Sequence, residues 1–402
     1  MVFRLIILIF LFTTSSFSNV RPFVSFDLDS GAFVKPYTNS SVASLTLFSH
    51  DFINMASWSA NRNLLYLNRK LGFYLRAFMT GLIMNNTYFS FYFLPYKEFG
   101  HGSRGRAFGV EPEYYLVGSD DVISKTYYDF FGQVLSGLAG SEGFSTSIKK
   151  PDSSEWSVHS LVNSEDLDLI WYAGGVNNLV FFSESIDNRF YERGMTSVYD
   201  MTGFFMSKMA ISNLGQAEIN PIRSRYIEKG IDMSYGDFKR YNGYSVLTSL
   251  TFWAFVEGWS RYLVSGIDHI QYNEVYNIRL PNVSMYLTSH GPSYRVQSGY
   301  RFSANTHIPV AVEYVFKGEK QAEFTLGFSK RWFRLLKSYS EIRLGEGVGL
   351  TQSIGIRAPY FSSIGVGFDY CNFKNLYGER HISSLKNGNA DVNFWVSYSY
   401  RK

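Results

Sequence analysis

The chain has 402 residues, of which 18% are aromatic and only 18% are charged. A chain of this composition can bury a large core, which excludes an intrinsically disordered protein. The formal net charge of +4 is too small to indicate nucleic-acid binding by itself. The single cysteine, Cys371, excludes both a disulfide framework and a four-cysteine zinc site.

The first twenty residues have the pattern of an export signal. Arg4 provides the positive charge, residues 5–12 form a short apolar run, and residues 16–18 form a small-x-small cleavage site. The apolar run is short for a membrane span. We therefore expect a signal peptide over residues 1–18 and export to the periplasm or outer membrane of a Gram-negative bacterium, where a protein with one cysteine is not unusual.

Residues 19–272 carry mainly helical periodicity, with apolar side chains three and four positions apart. This spacing predicts helices over Ser57–Thr80, Lys125–Ala139, Leu179–Arg193, Met195–Met209 and Ser245–Val264. Gly194 is expected to separate the third helix from the fourth, and Gly174–Asn178 is expected to be a turn that caps the third. None of these segments has eighteen charge-poor apolar residues in a row, so membrane-spanning helices are not expected.

After about Tyr272 the hydrophobic period changes from helical spacing to two. In the clearest segment Phe324, Leu326 and Phe328 alternate with Thr325 and Gly327. About eight strands are predicted in this way: Val283–Ser289, Tyr294–Phe302, Pro309–Phe316, Ala322–Phe328, Tyr339–Leu344, Leu350–Ile356, Ser363–Tyr370 and Val392–Tyr400.

Two architectures fit these strands. A soluble sandwich buries one face of each sheet, whereas a transmembrane barrel turns apolar side chains to lipid and small or polar ones to its interior. The small and polar opposite faces and the aromatic content favour the barrel. The last strand resembles that of bacterial outer-membrane barrels, which ends on an aromatic residue, although Arg401 and Lys402 follow Tyr400 here. The basic, aromatic run Lys330–Arg334 is expected at a membrane interface, and no nucleic-acid partner is predicted.

We therefore predict an α+β protein with two domains. A mainly helical domain over residues 19–272 is followed by an antiparallel β-barrel-like domain of about eight strands over residues 273–402, in contact with outer-membrane lipid. An eight-stranded barrel is narrow, so a general porin is not predicted.

One segment of the helical domain resembles a catalytic motif. The run KEFGH at residues 97–101 is similar to the HExxH motif of zincin metallopeptidases, with Lys97 in place of the first histidine. In that family two histidines one helical turn apart hold zinc, and the glutamate polarises the metal-bound water. The resemblance implies that Glu98 is the general base and His101 a metal ligand. A protonated Lys97 cannot donate to a metal, so the motif is degenerate.

The gluzincin branch of this family takes its third ligand from a later helix, and Glu184 or Asp187 could supply it. Three interpretations of the segment remain open: a structural polar patch, a relic of a peptidase site that no longer binds zinc, and an active site with other ligands. We predict an exported, outer-membrane-associated protein whose inactive peptidase-like module has a binding or structural role, with no cofactor and with a periplasmic protein or peptide as partner. The alternative is a membrane-tethered metal hydrolase that uses Glu98, with zinc on His101 and Glu184; a third hypothesis is a barrel with a helical plug or cap and no site.

Overall fold

The computed structural model of the chain describes most of the residues after Ser164 and separate stretches before it. The described residues are 25–29, 47, 54, 57–62, 69–82, 94–108, 112–116, 146–148, 164–272, 277–303, 305–333, 335–357, 362–372, 374–381 and 390–401. The predicted signal peptide and the predicted helix Lys125–Ala139 lie outside this part of the chain.

Helices dominate the described residues up to residue 272. They are α1 (Arg69–Leu82), α2 (Leu94–Ala107), α3 (Ser164–Arg193), α4 (Val198–Lys208), α5 (Ala210–Asn213), α6 (Gln216–Glu228), α7 (Tyr235–Leu247) and α8 (Leu250–Ser265), with α9 (Leu376–His381) later in the chain. No helix in the described ranges has both the length and the apolar character needed to cross a membrane.

Five short strands lie among the helices: β1 (Ser25–Asp29), β2 (Tyr114–Leu116), β3 (Thr146–Ile148), β4 (Met195–Ser197) and β5 (His269–Gln271). After residue 277 strands dominate. Eight longer strands follow: β6 (Ile278–Thr288), β7 (Gly291–Ser303), β8 (Thr306–Val315), β9 (Ala322–Trp332), β10 (Leu336–Leu344), β11 (Val348–Arg357), β12 (Ser362–Asn372) and β13 (Ala390–Arg401).

The eight longer strands form one antiparallel sheet in which neighbours in sequence are neighbours in space. β1 adds to the end of this sheet beside β13, so the spatial order is β1-β13-β12-β11-β10-β9-β8-β7-β6. Among the described strands β1 and β6 each pair with one neighbour, and the pairing does not close the sheet. The predicted order, helices followed by antiparallel strands, is confirmed, whereas the predicted barrel is not confirmed by this pairing.

Several predicted boundaries were wrong or incomplete. Residues Gly174–Asn178 do not form a turn, because α3 runs without a break from Ser164 to Arg193. Gly194 does end that helix, with a left-handed φ of 72°. The predicted helix Ser245–Val264 is interrupted between α7 and α8, where Thr248 caps the first. Neither the addition of β1 to the sheet nor α9 was predicted.

The helical core surrounds α3. Its fully buried members include Phe99 of α2, Phe182 of α3, Phe204 of α4 and Phe238 of α7, and the core extends to Met285 of β6. The helical part and the sheet therefore share one apolar core rather than meeting at a separate interface.

The edge of β6 that faces away from β7 is covered by side chains of the helical part. The Asn177 side chain both accepts from the Leu287 backbone N–H at 3.0 Å and donates to its carbonyl at 2.7 Å. Further along the strand, the Lys208 ammonium bonds the Val283 carbonyl, and the Leu280 N–H donates to the Tyr272 hydroxyl at 2.8 Å. Backbone groups that would otherwise remain unpaired at a sheet edge are satisfied in this way.

The two faces of the sheet differ sharply in polarity. We call the face that carries Glu323, Thr325 and Arg343, all at most 3% exposed, the inner face. The opposite, outer face presents apolar side chains that are about half exposed, including Leu326 at 41% and Ile354 at 50%. This arrangement is inverted relative to a water-soluble sheet, in which charged residues are almost never fully buried.

Candidate functional site

The segment that resembles a metallopeptidase motif forms helix α2 and lies against α3. Lys97, Glu98 and His101 are within one turn of each other, as predicted, and the first two are buried. The helix forms although it contains three glycines, because packing against α3 outweighs their low helix propensity. Arg104 and Arg106 lie in its last turn, where positive charge is favourable.

Glycines allow α2 and α3 to cross with their backbones in contact. A methyl group at Gly100 would lie 2.3 Å from the Gly174 carbonyl oxygen, and one at Gly174 would lie 2.7 Å from the Gly100 oxygen. Neither position can hold a side chain unless the helices move apart. The glycines of both segments therefore set the distance between two helices.

Both ring nitrogens of His101 lie against α3. Nδ1 lies 2.7 Å from the Trp171 carbonyl oxygen, so this nitrogen carries the proton and donates. A methyl group at Gly175 would lie 2.4 Å from Nε2, so this nitrogen faces the α3 backbone. Burial, together with the positive charges of Lys97 and Arg104, lowers the pKa of His101 to about 3, and its imidazole is neutral.

Lys97 connects α2 to a third helix. Its ammonium pairs with the Glu218 carboxylate of α6 and lies 3.9 Å from Glu98. Burial lowers the pKa of Lys97, and the charge of Glu98 acts against this effect. Burial also raises the pKa of Glu98 to about 7, although Lys97 favours its ionised form. A carboxyl group with such a pKa can exchange a proton near neutral pH.

The structure does not bring Glu184 or Asp187 to this cluster. Glu184 accepts a hydrogen bond from the Gln297 amide at 3.1 Å and lies 3.6 Å from the Arg295 guanidinium. From Gly175, beside His101, to Glu184 helix α3 rises roughly 14 Å. The part of the chain that the structure describes contains no group of three or more His, Cys, Asp or Glu residues able to hold a metal ion.

A second polar cluster fills the space between α3 and the inner face of the sheet. Asp187 of α3 pairs with Arg279 of β6, and Glu184 shares Arg295 of β7 with Glu313 of β8, 4.0 Å from that arginine. Each of these five side chains is at least nine-tenths buried. Glu184 and Asp187 were predicted as possible metal ligands, and their arginine partners were not predicted.

The polar cluster continues across the inner face of the sheet to β10 and β12. Arg343 of β10 pairs with Glu341 at 2.8 Å and with Asp369 of β12 at 2.7 Å. The sequence does place charged residues at the inward positions of strands in which polar and apolar residues alternate. This pattern does not identify which charges pair with each other.

In comparisons with known proteins, no family model, no curated protein and no solved structure matches the chain.

The α2–α3 crossing leads to a prediction about two glycine-to-alanine changes. We expect Gly100→Ala to lower the free energy of unfolding by about 1–3 kcal/mol, because the methyl group forces the two backbones apart. The matched control is Gly243→Ala in the interior of α7, where a methyl group meets no atom within 4 Å. That change should stabilise by about 0.5–1 kcal/mol, as alanine is the better helix former. Denaturant titration measures both, and equal effects of the two changes would contradict the crossing geometry.

The buried carboxyl group of Glu98 predicts a pH-dependent stability. Its unfolded-state pKa is near 4.5 and its folded-state pKa about 7, so the stabilisation present below pH 4.5 is lost as the pH rises to 7. At about 1.4 kcal/mol per pKa unit this loss is about 3 kcal/mol. Glu98→Gln removes the titration, so the variant should gain stability relative to wild type between pH 4.5 and 7.

His101 gives the opposite slope, since a folded-state pKa of about 3 makes stability fall as the pH drops from 6.5 to 3. This contribution is common to both proteins and cancels in the difference. Glu257→Gln, at an exposed carboxylate, is the control and should follow the wild-type curve. Parallel curves for wild type and Glu98→Gln would mean that Glu98 is not buried as described.

Proposed function

We propose that this chain is an exported protein of the outer membrane, whose sheet lies in the lipid bilayer and whose helical part has a binding or structural role. The observation that carries the proposal is the alternation in β9. Ala322, Phe324, Leu326 and Phe328 are exposed, whereas Glu323, Thr325, Gly327 and Ser329 between them are buried. In a water-soluble protein, a strand with these residues is expected to bury its apolar side chains and to expose its polar ones.

The same inversion extends across the sheet. Exposed apolar side chains occur on the outer face of every strand from β7 to β13: Val296, Tyr300, Val312, Tyr314, Phe324, Leu326, Phe328, Ile342, Leu344, Val348, Ile354, Ile356, Ile364, Val366, Val392, Phe394 and Val396. Soluble monomers rarely expose a contiguous apolar surface of this extent. Seven of the eight long strands have ten residues or more, enough for a tilted strand to cross the hydrocarbon region.

In lipid, every backbone group at a sheet edge requires a partner inside the protein. Along β6, Tyr272, Lys208 and Asn177 supply such partners for backbone groups of Leu280, Val283 and Leu287. We therefore propose a barrel-like domain in which the helical part covers the β6 edge. Because α3 and its ion pairs occupy the inner face, such a domain would not conduct large solutes.

The role proposed for α2 follows from its contacts. Both ring nitrogens of His101 face α3, and Lys97 is paired with Glu218, so the peptidase-like residues join helices α2, α3 and α6. These contacts favour a structural role for the module, and we propose binding of a periplasmic protein or peptide beside it. The raised pKa of Glu98 is the one observation that favours the alternative, a zinc hydrolase with Glu98 as base.

Membrane insertion is tested by placing an arginine at the middle of β9. If Leu326 faces lipid, Leu326→Arg should lower the free energy of unfolding from lipid vesicles by about 2–4 kcal/mol. Ile227→Arg, on the α6 surface and of similar exposure at 46%, is the matched control and should change it by at most about 0.5 kcal/mol. Two small, equal effects, in a chain that stays folded without detergent, would overturn the proposal.

Metal content distinguishes the proposed module from the hydrolase. We expect purified wild-type protein to contain zinc well below one ion per chain, because the His101 nitrogens are directed at α3. Elemental analysis measures this directly. One zinc per chain that is lost in His101→Ala and retained in His290→Ala, a change at a histidine paired with Glu319, would favour the hydrolase instead.

A further inference from the structure

Four large apolar side chains are exposed where helix α7 ends and helix α8 begins. Tyr244 is 52% exposed, Leu247 55%, Leu250 44% and Trp253 50%. We call these four residues the α7–α8 tip. Residues 241–256 contain no charged residue, although charged residues stand directly before and after this segment. A contiguous apolar surface of this kind marks a site of contact with another apolar phase or molecule.

The α7–α8 tip lies at the level of the middle of strand β7. The hydroxyl of Ser249, between the two helices, donates to the side-chain oxygen of Asn282 in β6 at 2.7 Å. Asn282 is directly opposite Gln297, the central residue of β7. If β7 crosses the bilayer, the tip therefore lies at the depth of the hydrocarbon region rather than at that of the headgroups.

Helix α7 is attached to the outer face of the sheet. Tyr294 of β7 precedes the inward-facing Arg295, so its side chain belongs to the outer face. The Tyr294 hydroxyl donates to the Tyr241 carbonyl of α7 at 2.9 Å. The ring of Phe316 lies between these two tyrosines, with its centre 4.3 Å from that of Tyr294 and 5.1 Å from that of Tyr241. The apolar surface of the outer face therefore continues from β7 onto α7.

The exposed end of α7 provides its own hydrogen-bond donors for its carbonyl groups. The last four carbonyls of a helix have no partner within the helix, and at a wet surface water can bond to them. Here the Trp253 indole N–H donates to the Leu247 carbonyl at 3.0 Å, and the Thr248 hydroxyl donates to the Tyr244 carbonyl at 2.7 Å. Both hydrogen bonds lie at the exposed surface. Partners of this kind are required in hydrocarbon, where no water is available.

We propose that the α7–α8 tip enters the hydrocarbon region of the bilayer beside β6 and binds lipid acyl chains. This inference rests on the proposed function, because the sheet must lie in the bilayer for the tip to reach that depth. Lipid is favoured over a protein partner, since a protein interface usually includes hydrogen bonds, and the tip offers an uncharged surface whose carbonyls are already bonded. The tip thus extends the lipid-facing surface past β7 and over the edge of β6.

The experiment uses the full chain with Cys371→Ser and one new cysteine, which carries a fluorescent label, in phosphatidylcholine vesicles. Brominated acyl chains quench a label in the hydrocarbon, and iodide quenches a label in water. We expect labels at Leu247→Cys and Leu250→Cys to lose most of their fluorescence to brominated lipid and little to iodide. Ile227→Cys on α6, where the native side chain is similarly exposed at 46%, is the matched control and should show the reverse. Leu326→Cys in β9 reports on the sheet in the same vesicles.

Quenching of the labels at 247 and 250 by iodide would place the tip in water and overturn the inference. Protection from both quenchers would mean that protein, such as a second copy of this chain, covers the tip, and this result would also overturn it. In both cases, quenching of the label at 326 by brominated lipid would leave the proposed function intact. Quenching at 326 by iodide instead would overturn the proposed function, and the inference with it.

Discussion

The structure depends on neutralising the charges that the sheet buries on its inner face. Arg279 and Arg295 are only 2% and 5% exposed, and removing a charge from water costs several kcal/mol unless a partner compensates it. The carboxylates of Asp187 and Glu184 supply that compensation from α3. The position of this long helix is therefore fixed by charge as well as by apolar packing.

The same helix determines what the peptidase-like segment can do. Because Gly100 of α2 meets Gly174 of α3 backbone to backbone, His101 is pressed against α3, and its Nδ1 bonds the Trp171 carbonyl. Burial keeps its imidazole neutral, and Lys97 adds a positive charge at the position where a metal ligand would be needed. The chemistry that remains is a carboxyl group, Glu98, whose pKa lies near neutrality.

The strands could be predicted from the sequence because polar and apolar residues alternate with a period of two, whichever face of the sheet is buried. The contacts between residues far apart in the sequence could not be predicted. Gly174 was predicted to lie in a turn, since glycine favours turns. In the structure it lies within α3, where it allows the backbone of α2 to come close. Glu184 was considered as a zinc ligand through the resemblance to gluzincins. Its sequence context does not identify its partner, which in the structure is Arg295. β1 lies more than 350 residues before its partner β13, a separation that local patterns do not reveal.

The central claim is that the apolar side of this sheet faces lipid, and spin labels along one strand test it most directly. Single cysteines would replace Phe324, Thr325, Leu326, Phe328 and Ser329 in a chain whose native Cys371 has been changed to serine, followed by reconstitution into vesicles. If the apolar side faces lipid, labels at 324, 326 and 328 are accessible to oxygen dissolved in the bilayer and protected from a water-soluble nickel chelate, while labels at the buried positions 325 and 329 are protected from both. Nickel accessibility at 324, 326 and 328 would contradict it.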